Sequence, residues 1–100
     1  MTNAQITNAW LYMAERWRTY VLPQSRDEID MRLRVWREDV GDEYEPVVLA
    51  ALRTFADREF PPNIGQVADV IADAKTKLRM SSVQDPSVDE LVEVITTGMP

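Results

Sequence analysis

Ile6, Trp10, Met13, Trp17 and Tyr20 recur at spacings of three and four residues, so the first apolar stripe of the chain has a helical period and an aromatic face. The spacing predicts a helix from Asn3 to about Tyr20, stopped by Pro23. Ser25 followed by Glu28 is a capping box, in which each side chain satisfies a backbone N–H that a helix start leaves unpaired. A second helix is expected there, with Ile29, Leu33, Trp36 and Val40 on one side and Gly41 closing it in a left-handed conformation. Asp42 and Glu45 read as the next capping box. They precede a third helix that turns Val47, Val48, Ala51, Leu52 and Phe55 inward and ends near Arg58. Pro46 is compatible with its first turn, where little backbone bonding is lost.

Phe60, Pro61 and Pro62 form a rigid extended joint, since each proline fixes its own φ and turns the preceding residue away from helix. Phe60 and Ile64 flank this turn and are expected to staple the third and fourth helices together. Asn63 and Gln66 open the fourth helix, whose stripe is Ile64, Val67, Ala68, Ile71, Ala74 and Leu78. Lys75, Lys77 and Arg79 lie near the negative end of its dipole. Met80 to Pro86 reads as a linker, and Ser87 with Glu90 caps a short segment with Val88, Leu91, Val92 and Ile95 on one face. No segment alternates with the period of a strand. The expected fold is all-α: a bundle of about four helices over residues 1–80, then a flexible acidic tail over 81–100 with room for a fifth short helix.

Composition narrows the function. The chain has 100 residues, 45% of them hydrophobic and 28% charged, which suits one folded domain with a real core. It has no cysteine and no histidine, so the commonest general base, the best nucleophile and the commonest transition-metal ligands are all missing. A non-catalytic protein without cofactors is expected. The net charge is −6, and the last twenty residues hold four acids and no base. That balance opposes the holding of phosphates, so direct nucleic-acid binding is not expected. No apolar run approaches the roughly 20 residues of a membrane span, and Met1-Thr-Asn-Ala-Gln lacks the start of a signal peptide. A cytoplasmic location is the expectation.

Trp10, Trp17 and Trp36 are read as core. Arg32, Arg34 and Arg37, with Arg26 before them, are interspersed with Asp30, Glu38 and Asp39 and read as a mixed-charge solvated face. The acids Glu38, Asp39, Asp42, Glu43 and Glu45 lack the alternation and central glycine of a calcium loop.

One ordered set of residues resembles a known family. Trp36 is followed by Asp42-Glu43-Tyr44-Glu45, then Val47-Val-Leu-Ala-Ala-Leu52, Phe55, and Phe60-Pro61-Pro62-Asn63-Ile64 opening a helix. Over about residues 5 to 79 this is similar to the phage helicase loader/inhibitor family. The resemblance implies a helical N-terminal domain with a flexible C-terminal tail. It further implies binding to a hexameric DnaB-type replicative helicase, restraint of its activity, and delivery to an origin-bound initiator protein. The tail is the part that the family relation would place on the helicase. Here Val88, Leu91, Val92 and Ile95 are the candidate contact residues, chosen for their amphipathic spacing and not by a matching motif. Two other classes fit the composition: a small DNA-binding accessory protein using the second or fourth helix, and a phage structural adaptor that assembles with copies of itself.

Overall fold

The computed structural model describes residues 1–98 and is all-helical, with five helices and no strand among those residues. They are α1 (Asn3–Arg16), α2 (Arg26–Val40), α3 (Glu45–Arg53), α4 (Ile64–Met80) and α5 (Val88–Thr97). Three of the helix starts are full capping boxes, at Thr2 with Gln5, Asn63 with Gln66, and Ser87 with Glu90. At α2 the Ser25 hydroxyl accepts from the Glu28 N–H, while the Glu28 carboxylate accepts from Gln24 instead of the cap residue.

Short α3 lies at the centre. Val47, Val48, Ala50, Ala51 and Leu52 are all buried, five residues of a nine-residue helix. A helix buried on so much of its circumference needs neighbours on several sides, and α3 packs against α1, α4 and α5. α2 is the outlying member. It rests on α4 and α1 and buries only Trp36 and Val40.

Four helix ends differ from the sequence expectation, each for a local reason. α1 stops at Arg16, not Tyr20, because Trp17 is extended (φ −123°, ψ 120°); its indole is buried and Nε1 donates to the Arg58 carbonyl at 3.0 Å. Burial of one large aromatic and its polar handle thus outweighs one more helical turn. Gly41 is right-handed (φ −58°), so it is not a left-handed cap; a Cβ there would sit 2.4 Å from the Arg37 carbonyl oxygen. The third helix is capped at Tyr44 without a side-chain bond, and the Asp42 box does not form. A helix capped at Asp42 would need an N–H from residue 46, which is proline; starting at Glu45 puts Pro46 where no N–H is required. α3 ends at Arg53 rather than Arg58, and Thr54, Phe55 and Ala56 donate to carbonyls three residues back, a tighter winding that keeps Phe55 inside.

The fifth short helix for which residues 81–100 had room forms, as α5. The described part of this stretch is no tail apart from the bundle: α5 packs on α3 and α4, with Leu91, Val94 and Ile95 in the core. The physical reason is the surplus of apolar surface on α3, which α1 and α4 leave uncovered on one side. The link into α5 is a tight helix stop. Val83 N–H donates to Leu78 O and Ser82 N–H to Arg79 O, with Ser82 left-handed at φ 70°.

Candidate partner-binding surface

The residues singled out from the sequence fall into three places. Leu91 and Ile95 are 6% and 8% exposed and belong to the core, while Val88 and Val92 are half-buried against it. The fold therefore takes up Leu91 and Ile95 of the expected contact stripe, and Val88 and Val92 are its half-buried members, Val88 lining a cleft beside α4. Val94 was missed by that reading, although its spacing of three from Leu91 was visible; the inward face is centred on Leu91, Val94 and Ile95. Phe60 is corrected: it is 61% exposed and staples nothing, whereas Pro62 is buried and Ile64 half-buried. Trp17, held to Arg58 just before the joint, does the anchoring that Phe60 was expected to do.

Trp36, Pro62 and Ile64 come together. They line an open, mainly apolar groove of about 430 Å³ between α2 and the start of α4, with Met13, Tyr20, Met31, Val35, Glu28 and Arg32 completing the walls. Trp36 packs edge-on against Trp10, ring centroids 6.2 Å apart, which fixes its ring. Met31 and Val35 are 66% and 45% exposed, one helical turn apart on the outer side of α2.

Arg32 sets the far wall. Its guanidinium stands over the rings of Trp10 (5.6 Å) and Tyr20 (5.3 Å), and it donates to the Tyr20 hydroxyl at 3.1 Å and to the Val21 carbonyl at 2.8 Å. The link from α1 to α2 is thereby tied down across the groove. Burial raises the Tyr20 phenol above its ordinary pKa, partly offset by the charge and hydrogen bond of Arg32. Arg37 is engaged too, with the Asn3 side chain and the Met1 carbonyl. Of the four arginines of α2, Arg32 and Arg37 are thus engaged within the fold, while Arg26 and Arg34 are exposed.

Tyr44 lies elsewhere, in a cleft of about 730 Å³ between the α2–α3 turn, α4 and the start of α5. Lys75 is paired there with Glu43 at 2.6 Å, and Arg79, Asp42 and Asp85 share the walls. Three carboxylates, Asp42, Glu43 and Asp85, and two cations, Lys75 and Arg79, line this cleft. Among the described residues no group of histidines, cysteines and carboxylates is arranged to hold a metal ion, and no helix is long and apolar enough to cross a membrane.

The chain matches no family model, and no curated protein or solved structure matches it.

Proposed function

We propose that this protein is a non-catalytic adaptor of the helicase loader/inhibitor kind, which binds a hexameric DnaB-type replicative helicase and helps deliver it to an origin-bound initiator. One observation carries the reading: Trp36, Pro62 and Ile64, three of the residues on which the resemblance rests, wall a single open groove whose rim is exposed Met31 and Val35. Exposed apolar side chains around an aromatic floor are what a protein-binding surface offers. The absence of histidine and cysteine from the sequence supports a binding role over catalysis. A helicase partner places the protein in the cytoplasm of the host cell.

The test is a pull-down against a cognate hexameric helicase with ATP present, using the full chain and Met31→Glu/Val35→Glu. Both side chains are exposed, so the double variant should fold. Capture by the full chain and loss in the variant supports the reading. Equal capture by both moves the contact off the groove, and no capture by either refutes the helicase partner.

A further inference from the structure

The outer side of α2 has a pattern that the groove alone does not explain. Asp27, Glu28, Met31, Val35, Glu38 and Asp39 follow at steps of one, three, four, three and one residues, which brings all six to one side of the helix. Met31 and Val35 form its apolar centre. Asp27 and Glu28 lie one turn before them and Glu38 and Asp39 one turn after, all four exposed and none in an ion pair among the described residues. Arg34 stands at one margin, and Arg32 is withdrawn between Trp10 and Tyr20. The two acid pairs are ten to twelve residues apart, roughly 16 Å along a helix at about 1.5 Å per residue.

From this we infer that the occupant of the groove is an amphipathic helix of a partner protein, with two apolar residues one turn apart and Lys or Arg at each end. The inference rests on the protein-binding reading above and names the chemistry of the partner at that site. The apolar pair seats on Met31, Val35 and the Trp36 floor, and the basic ends meet the two acid pairs. A second copy of this chain does not fit. Antiparallel α2 helices with Met31 on the copy's Val35 set Glu28 against Glu38 and Asp27 against Asp39, and parallel ones set each acid against itself. Nucleic acid is repelled by the same four carboxylates.

The test is an NMR titration of the ¹⁵N-labelled full chain with two synthetic helical peptides that share the same Leu pair, one with Lys at both ends and an analogue with Glu in place of each Lys. The Lys peptide is expected to shift amides of residues 27–39 and 62–64. Its affinity should fall about tenfold from about 0.05 M to about 0.3 M salt, as Debye screening shortens. The Glu peptide is expected to bind at least about tenfold more weakly. Asp27→Asn/Glu28→Gln/Glu38→Gln/Asp39→Asn should abolish the difference between the peptides, and Met31→Glu/Val35→Glu should abolish binding of both. Equal response to the two peptides, shifts centred on the Tyr44 cleft, or no shift on α2 would overturn the inference. Concentration-dependent shifts on α2 without peptide would overturn it in favour of a second copy. Helicase capture that survives neutralisation of the four acids would sink this inference and leave the helicase reading standing; Lys-peptide binding without helicase capture would do the reverse.

Discussion

Replacing Leu91 by alanine tests whether α5 belongs to the folding unit. Leu91 is 6% exposed and sits with Val94 and Ile95 against α3 and α4. Truncating a buried leucine removes its transfer free energy and leaves a cavity, together about 2–4 kcal/mol at a site that only partly collapses. A domain of about 100 residues loses roughly 4–8 °C of Tm per kcal/mol, so a fall of about 10–25 °C is expected. The informative assay follows urea unfolding by circular dichroism and by tryptophan fluorescence together. Trp10, Trp17 and Trp36 lie on or beside α1 and α2, and α5 has no tryptophan. Loss of packing at Leu91 must therefore reach them through α3 and α4. The expected result is one shared transition moved to lower urea by both probes, with Glu93→Ala, on the exposed side of α5, within about 0.5 kcal/mol of wild type. A Leu91→Ala protein whose fluorescence midpoint equals that of wild type would refute the placement of α5 in the core.

Ser82→Gly should stabilise the protein by about 0.5–1 kcal/mol, because a non-glycine residue is strained at φ 70° and glycine is not, less the entropy glycine adds to the unfolded chain; a lowered urea midpoint would contradict the helix stop described after α4. Phe60→Ala should change stability by less than about 0.5 kcal/mol, since the ring is mostly in water, and thermal melting will show it. The Tyr20 phenol titrates above its ordinary value of 10.0 in the folded state, so unfolding releases its proton first as pH rises. Its stabilising contribution is complete below that value and declines as pH rises from there to the folded pKa. Urea midpoints that fall less in Tyr20→Phe than in wild type over that alkaline interval would bear this out, and parallel curves would not.

The helices themselves were legible because their signals are local. The Asn63–Gln66 and Ser87–Glu90 boxes and the three-and-four spacing of Val67, Ile71, Ala74 and Leu78 require only neighbours in sequence. What was not legible depended on distant partners. Nothing near Trp17 announces that its indole will reach Arg58, forty-one residues on, and end α1 early. The α5 face was visible, but not that α3 would need it. The candidate surface was visible only in part: Trp36, Pro62 and Ile64 were marked in advance, yet their meeting with Met31 and Val35 depends on how α2 lies against α4. Arg32 looked like one of several surface charges, and only the fold withdraws it between two rings.

The contrast between α2 and α3 bears on how such a chain can change over generations. α3 has five buried residues in nine and neighbours on three sides, so most substitutions there disturb packing in several directions at once. α2 has two buried residues in fifteen, and most of its outward positions are open to drift at little expense in stability. The binding role proposed for α2 is thus separable from the folding role of α3. A lineage could acquire a new partner by rewriting one helix face while inheriting the rest of the bundle intact.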